Sequence, residues 1–316
     1  MEEIGSCPKN IGGIIMNGHT GKEILVAIDG SDFAFETIKY MSKIPSFKGK
    51  QIHLFSVLTK IPGRYWDLQR EAAFSGKVTE ILAWETRLRQ ESEEYMEKAK
   101  QILLDAGFSD QSVSIKLHEM ERGIARDIIR EAGKGYKALV VGKRGMSRIK
   151  ELVLGSIATK LLQRAPFVSL FLVGRDPRPG KYLVAFDGSE GSMRAVDCVG
   201  AMLSGQDCQI NLTHVVRYGK DEMGLIAEAE KTIARAFDEA VERLTTAGIP
   251  LNHISTQIIT GAESRSATIV DDAKQGGYGT IILGRRGFSR VKEFFIGRVS
   301  NKVIQIAKGH AVWVVS

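Results

Sequence analysis

The sequence predicts an α/β protein made of two similar domains in tandem, each built on a doubly wound parallel sheet. The first observation is an internal repeat, in which residues 24–31 and residues 182–189 both end in Asp-Gly-Ser. The second is a glycine pattern, Gly-x2-Gly-x9-Gly, that starts at Gly142 and again at Gly284. The third is the alternation of short apolar runs with helical patterns, which is typical of parallel sheets with helical crossovers. We call the two repeats the first copy and the second copy.

Each element of the first copy follows from its local pattern. Residues 24–28 are a short apolar run that predicts a strand, and the Asp-Gly-Ser after it predicts a turn and a helix cap. Apolar residues at helical spacing predict a long helix over 78–106, and Gly107 suits its C-terminus. The same alternation predicts helices over 33–44, 124–132 and 157–163, and strands over 52–58, 113–117, 139–141 and 167–173.

The second copy repeats this order and ends in a strand over 311–315. The two Asp-Gly-Ser turns are 158 positions apart, whereas the two glycine patterns are 142 positions apart. The first copy therefore holds 16 additional residues, which we place around 61–79. Both last strands are apolar and need cover, so we expect them to pair with each other within the chain. The predicted segments are an N-terminal extension (1–21), a first domain (22–174), a turn-rich linker (175–180) and a second domain (181–316).

Composition places the chain among ordinary globular proteins. Its 316 residues suggest two domains, and its 43% hydrophobic and 26% charged residues are typical of packed domains. The net charge of +7 is interleaved with acidic residues, so nucleic acid is not an expected partner. Three cysteines without Cys-x-x-Cys spacing, no apolar leader and no apolar run of membrane-spanning length predict a cytoplasmic protein that contacts no membrane.

The glycine patterns predict phosphate binding. Each follows an apolar strand and precedes a helix, where glycines leave backbone amides bare and the helix N-terminus attracts an anion. Ser156, after the third glycine, either donates to a phosphate or caps the helix. The alternative is a ligand-free turn with a C-cap glycine and an N-cap serine, but the repetition favours phosphate binding. The glycines are Gly142, Gly145 and Gly155 in the first copy and Gly284, Gly287 and Gly297 in the second.

The carboxylates Asp29 and Asp187 end the two first strands. At that place a carboxylate accepts hydrogen bonds from a ribose hydroxyl or an adenine amino group. Asp-Gly-Ser alone is common turn and cap chemistry, but the nearby glycines favour a nucleoside contact. If the first and fourth strands are neighbours, the carboxylate and the glycines share the crevice where such sheets bind ligands.

Cationic side chains surround both glycine patterns. They either neutralise phosphate charge or, as is more common, lie on a solvated loop, which is the interpretation we favour. The residues are Lys143, Arg144, Arg148 and Lys150 in the first copy and Arg285, Arg286, Arg290 and Lys292 in the second.

Other chemical motifs are missing from the sequence. It contains no Gly-x4-Gly-Lys-Ser/Thr, which argues against a P-loop NTPase, and its six histidines lack metal-ligand spacing. No Ser-His-Asp set can be assembled. We therefore predict no metal ligands and no catalytic residues.

These motifs resemble the universal stress protein family. Strand–Asp-Gly-Ser, followed after the fourth strand by Gly-x2-Gly-x9-Gly-Ser, is similar to the ATP-binding branch of that family, over about residues 22–174 and 180–316. The resemblance implies two five-stranded parallel sheets of order 3-2-1-4-5, an adenine-nucleotide alpha-hydrolase-like fold. It also implies ATP, with or without Mg²⁺, between the first and fourth strands. The domains would pack through their fifth strands as an intramolecular pseudo-dimer, with a homodimer as a further option.

The resemblance also assigns roles to residues. It implies that Asp29 contacts the nucleoside and that the backbone of Val57 contacts the adenine. The expected ribose and phosphate contacts are Gly142, Gly145, Gly155 and Ser156, and the corresponding second-copy set is Asp187, Val215, Gly284, Gly287, Gly297 and Arg298.

Arg298 departs from the family pattern, which has Ser or Thr at this position. Its guanidinium either pairs with phosphate bidentately or blocks the phosphate cradle by its bulk. We favour blockage, and we therefore expect one ATP per chain, in the first copy.

The motifs together predict an ATP-binding regulatory protein of the stress response, with an unidentified protein partner. One alternative is a slow ATPase or phosphotransfer enzyme that uses Asp29 as a metal or base site. The absence of a water-activating residue in the motif argues against it. Another alternative is a nucleotide-free scaffold for a protein partner.

Overall fold

The computed structural model describes residues 23–59, 75–145, 153–217, 223–287 and 296–316, with the backbone alone for 75–82 and 223–230. The predicted N-terminal extension lies outside these residues. Among them, no helix is long and apolar enough to cross a membrane.

The first copy alternates strands and helices as the sequence predicts. Its bounds differ from the predicted ones by a few residues at the element ends. The elements are β1 (Glu23–Ala27), α1 (Asp32–Ser42), β2 (Gln51–Leu58), α2 (Ser75–Asp105), β3 (Val113–Glu119), α3 (Ile124–Ala132), β4 (Ala138–Gly142), α4 (Ser156–Arg164) and β5 (Ser169–Val173).

The second copy has the same order of elements. Its long helix has 24 residues where α2 has 31, so part of the additional length of the first copy is helix; residues 60–74 lie outside the described chain. The elements are β6 (Lys181–Ala185), α5 (Glu190–Leu203), β7 (Gln209–Val215), α6 (Met223–Thr246), β8 (Ile254–Ile259), α7 (Arg265–Gln275), β9 (Thr280–Gly284), α8 (Arg298–Ile306) and β10 (Ala311–Val315).

The ten strands form one sheet, in the order β3-β2-β1-β4-β5-β10-β9-β6-β7-β8. The predicted order 3-2-1-4-5 is therefore confirmed in each copy, and all pairs within a copy are parallel. The two sheets expected from the sequence are joined, because β5 and β10 pair antiparallel with Phe171 opposite Trp313. Both are apolar strands whose free edges would otherwise be exposed, and each covers the other.

Helices cover both faces of this sheet. One hydrophobic core lies between the sheet and α1, α2, α5 and α6, and the other between the sheet and α3, α4, α7 and α8. Trp313 is fully buried at the joint between the copies and stacks on Phe171, with ring centroids 4.1 Å apart. Buried strands flanked by helices leave only the strand ends free for a ligand, as is usual in doubly wound folds.

Candidate functional site

The first-copy site lies where β1 and β4 end side by side. Their register pairs Ala27 with Val141, so the turn after β1 and the glycine loop after β4 leave the sheet together. A Cβ added to Gly145 would overlap the Oδ2 of Asp29, which shows how closely the carboxylate approaches this glycine. The expected convergence of the first-strand carboxylate and the glycine loop is therefore present.

The Asp-Gly-Ser turn also caps a helix, which the sequence analysis gave as the alternative to a nucleoside contact. The Ser31 amide donates to Asp29 Oδ1 at 3.1 Å, and Ser31 Oγ accepts from the Ala34 amide at the start of α1. Gly30 has φ 73°, a left-handed conformation that favours glycine. The second copy repeats this turn around Asp187. In each turn Oδ1 of the aspartate accepts from the serine amide, whereas Oδ2 lies against the glycine loop.

The three glycines of the first-copy loop differ in whether the surrounding structure leaves room for a side chain. A Cβ on Gly142 would lie 2.9 Å from the carbonyl of Arg144 and 3.3 Å from that of Phe33, so packing under α1 excludes a side chain. Gly145 is required by the approach of Asp29. For Gly155 the nearest atoms to a Cβ are the Lys143 carbonyl at 3.5 Å and Arg144 Cα at 3.6 Å, which are ordinary contacts. Packing therefore explains two of the three glycines.

The N-cap residue of α4 provides no side-chain cap. It is Gly155, with φ −72° and ψ 162°, and among the residues that the structure describes no side chain accepts from the first-turn amides. The alternative of an N-cap serine is therefore wrong, because Ser156 is the first residue of the helix. In contrast, serines cap α1, α5 and α7 through their hydroxyls. The second copy matches the first, since Gly297 precedes α8 without a side-chain cap.

Val57 lies near the end of β2, which is the neighbour of β1 on the side away from β4. It is two residues beyond Phe55, the residue level with Ala27. The strand order therefore brings the backbone of Val57 to the same end of the sheet as Asp29 and the glycine loop.

The second-copy residues line one cavity of about 830 Å³. All six that the sequence analysis selected are on its wall: Asp187, Val215, Gly284, Gly287, Gly297 and Arg298. Several wall residues were not predicted, because they come from the ends of other strands and helices and belong to no repeated motif. They include Ser192, Thr213, His214, Arg217, Glu263, Ser264, Arg265, Ser300 and Lys302.

Arg298 lies at the edge of the second-copy site. It is the first residue of α8, it is exposed, and it forms part of the wall of the cavity. The expectation that its bulk blocks this space stays a prediction, because a guanidinium on the cavity wall can either pair with a phosphate or crowd it.

Two of the cations expected on a solvated loop are buried. Lys143 is 1% exposed and Arg285 is 5% exposed. Lys143 Nζ donates to the carbonyl of Ala307 just after α8, while Arg285 donates to the carbonyls of Leu162 at 2.6 Å and Ala165 at 3.0 Å, at the end of α4. The solvated-loop interpretation is wrong for this pair, because each side chain reaches into the other copy.

Burial shifts the protonation of both buried cations. It lowers the pKa of Lys143 from 10.5 to about 7 and the pKa of Arg285 from 12.5 to about 10, the latter with a contribution from the neighbouring charge of Arg286. Each cation nevertheless lies at a helix C-terminus, where unpaired carbonyls and the helix dipole favour a donor.

The other predicted cations differ in position. Arg144 is half-buried, with its guanidinium 5.8 Å from the centroid of the Phe33 ring, and Arg286 is exposed on the wall of the second-copy cavity. Arg148, Lys150, Arg290 and Lys292 lie outside the described residues.

Comparisons with known proteins match this architecture. A family model described as the universal stress protein family matches residues 21–170 and 180–316. The chain belongs to the universal stress protein family. Because the two matches are consecutive and each spans nearly all of one copy, this universal stress protein is a tandem of two family domains.

Some relatives of this universal stress protein align with almost the whole chain, and others align with less than half of it. Universal stress protein Slr1230 of Synechocystis is 22% identical over 296 residues, which are 90% of this chain and 96% of the relative. Universal stress protein YxiE of Bacillus subtilis is 27% identical over 142 residues, which are 40% of this chain and 93% of the relative. A crystal structure of a universal stress protein from Archaeoglobus fulgidus aligns with 94% of this chain and 99% of its own, at 19% identity and a TM-score of 0.61, which shows a shared fold.

Proposed function

We propose that the first copy binds ATP and that the chain acts as a nucleotide-dependent regulatory protein of the stress response on a protein partner. Gly155 is the observation that carries this proposal. Its backbone conformation is open to any residue and a Cβ would meet ordinary contacts, so the fold itself does not need glycine there. Glycine also lacks the capping side chain of Ser, Thr or Asp, which costs the helix a few tenths of a kcal/mol.

A phosphate explains what the fold does not. Without a side chain at Gly155, the first-turn amides of α4 are open to an anion, and the positive end of the helix dipole favours it. Ser156 adds a hydroxyl at the same helix end. In this proposal the loop from Gly142 to Gly155 holds the phosphates, and Mg²⁺ accompanies the ATP as their counter-ion.

The other first-copy residues then face the nucleoside. Asp29 Oδ2 lies at the loop beside Gly145, where it can accept from a ribose hydroxyl or the adenine amino group. Val57 offers backbone groups at the end of the neighbouring strand β2. These assignments place base, ribose and phosphates along the ends of β2, β1 and β4 in turn.

The proposal is tested by titrating ATP into the purified chain and into Gly155→Val by calorimetry. The added Cβ meets only ordinary contacts among the described residues, but in this proposal the side chain enters the phosphate path. Affinity should therefore fall more than about tenfold, or ~1.4 kcal/mol. Gly49→Val is the matched control, because no atom lies within 4 Å of a Cβ there and the site is distant; it should leave affinity unchanged. Gly142→Val is unsuitable, since its clash with backbone carbonyls would perturb the fold.

The titration has a clear opposing result. If Gly155→Val retains the wild-type unfolding curve and still binds ATP in the first copy as wild type does, the site is not at α4. If the wild-type chain binds no ATP at all, the nucleotide-free scaffold replaces the proposed function.

A further inference from the structure

The two copies do not have the same charge around their sites. Five cations line the second-copy cavity, and only two carboxylates, Asp187 and Glu263, join them among the described residues. Within the described part of the chain, no carboxylate lies within ion-pair distance of these five cations. They are Arg217, Arg265, Arg286, Arg298 and Lys302.

The first copy lacks three of these cations. At the equivalent positions, Arg217, Arg265 and Arg298 are replaced by Thr59, Ile124 and Ser156, where Ile124 and Arg265 are the first residues of α3 and α7. The other two cations of the second copy have cationic counterparts, Arg144 and Lys160, and Asp187 corresponds to Asp29. Glu263 precedes the N-cap of α7, and the residue at this place in the first copy is Arg122. The second copy therefore has arginines at three positions that are neutral in the first copy, although Glu263 replaces Arg122.

Arg265 also changes the part of the cavity where a base would be recognised. Its Nε donates to the carbonyl of Val215 at 3.1 Å, at the end of β7. An adenine amino group is a donor and needs such an acceptor, but here a charged donor already uses one of the two lone pairs of the carbonyl. A positive group at this place repels an amino hydrogen and attracts an anion.

From this cavity we infer that the second copy binds an oligophosphate chain through its charge and without selecting adenine. Gly284, Gly287 and Gly297 with the N-terminus of α8 form the phosphate cradle, and the three additional arginines extend positive charge beyond it. A space of about 830 Å³ is within the usual range for a ligand of this size. Nucleoside triphosphates of any base and inorganic polyphosphate share this chemistry.

This inference goes beyond the proposed function, which concerns the first copy, and the experiment separates the two. Calorimetry on the full-length Gly155→Val chain measures the second copy while the first-copy cradle is obstructed. The titrants are ATP, GTP, inorganic tripolyphosphate and orthophosphate. We expect ATP, GTP and tripolyphosphate to bind once per chain with affinities within about threefold, and orthophosphate to bind at least tenfold more weakly, because single phosphate contacts add up along a chain.

The decisive variant gives the second copy the residues of the first: Arg217→Thr, Arg265→Ile and Arg298→Ser together, in the Gly155→Val background. Tripolyphosphate affinity should fall at least tenfold, and its dependence on salt should weaken because fewer charges take part. The single variants Arg217→Thr and Arg298→Ser change exposed side chains, so they remain informative if the combined variant unfolds. Each should lower the affinity for tripolyphosphate about threefold.

Three results would overturn the inference. One is the absence of tripolyphosphate binding to Gly155→Val, and another is binding that the arginine variants leave unchanged. The third is a preference of at least tenfold for ATP over GTP in the second copy, which would show that adenine is recognised there. If Gly155→Val leaves the ATP affinity of the first copy at the wild-type value, this result counts against the first-copy proposal alone. The arginine variants measure binding to the second copy independently.

Discussion

Lys143 shows how much a single buried residue can depend on a distant partner. Its ammonium group is almost completely buried and donates to the carbonyl of Ala307, which is 164 positions away in sequence. Removing the charge from water favours the neutral amine, so burial lowers the pKa of Lys143 to about 7. This residue therefore links the stability of the fold to pH near neutrality.

The pH dependence of stability follows from this pKa. Between pH 7 and 10.5 the unfolded chain keeps a proton on Lys143 that the folded chain has lost, so the free energy of unfolding rises with pH in this window. The contribution is at most about 1.4 kcal/mol per pH unit for one proton. Urea unfolding at a series of pH values from about 7 to 9 should show a shallower rise for Lys143→Met than for the wild type.

A residue titrating in another window provides the control. Burial, with a smaller contribution from the charges of Lys143 and Lys274, lowers the pKa of His310 from 6.5 to about 4. The pH dependence that His310 adds to stability is therefore confined to the window between pH 4 and 6.5. His310→Gln should leave the slope above pH 7 unchanged. Parallel curves for the wild type and Lys143→Met would show that Lys143 does not titrate in this window.

At the scale of elements, α4 and α8 each serve both copies. The N-terminus of each helix lies at the glycine loop of its own copy, and its C-terminal end receives a cation from the glycine loop of the other copy. The two contacts are equivalent, since Arg285 binds Ala165 as Lys143 binds Ala307. These bonds satisfy carbonyls at helix ends that have no partner within the helix.

Loss of one such contact should destabilise the protein. Arg285→Met leaves the carbonyls of Leu162 and Ala165 without these donors, and a buried unsatisfied group costs about 1–3 kcal/mol. We expect a decrease of roughly 2–4 kcal/mol in the free energy of unfolding by urea, given two such groups. Arg286→Met, at the exposed neighbouring position, should stay within about 0.5 kcal/mol. Equal effects of the two substitutions would contradict a role for the contact.

At the scale of the whole molecule, the pairing of β5 with β10 makes one sheet of two repeated domains. The joint is packed with aromatic rings: Trp313 stacks on Phe171 and lies 5.9 Å from Tyr182 between ring centroids. Tyr40 of the first copy also forms a hydrogen bond with Thr280 of the second, at 2.8 Å. The copies therefore share a core across the joint.

Truncation at the joint tests this shared core. Trp313→Ala should lower the free energy of unfolding by about 3–5 kcal/mol, because it leaves a cavity among fully buried rings. Trp84→Ala is the matched control; this tryptophan is 49% exposed on α2 and should cost far less. Unfolding followed by circular dichroism provides the measurement. A small loss for Trp313→Ala, equal to that of Trp84→Ala, would mean that the joint contributes little to stability.

The sequence by itself determined the elements, their order and the residues around each glycine loop. Local periodicity and turn chemistry depend only on residues that are near each other in sequence. Because the chain is a repeat, the same patterns could be read in both copies. Asp29 and Gly145 could be predicted to meet because strand order in this fold brings the ends of β1 and β4 together. The first-copy site was therefore within reach of sequence reasoning, apart from its missing side-chain cap.

Only the tertiary structure decided which cations are buried and which are exposed around a cavity. Lys143 and Arg285 look like loop residues in sequence, because the carbonyls that receive them lie more than a hundred positions away. Arg217 and Arg265 belong to no motif, and they join Arg298 only because separate strand and helix ends converge on one cavity. Burial and convergence depend on long-range packing, and no local pattern records them.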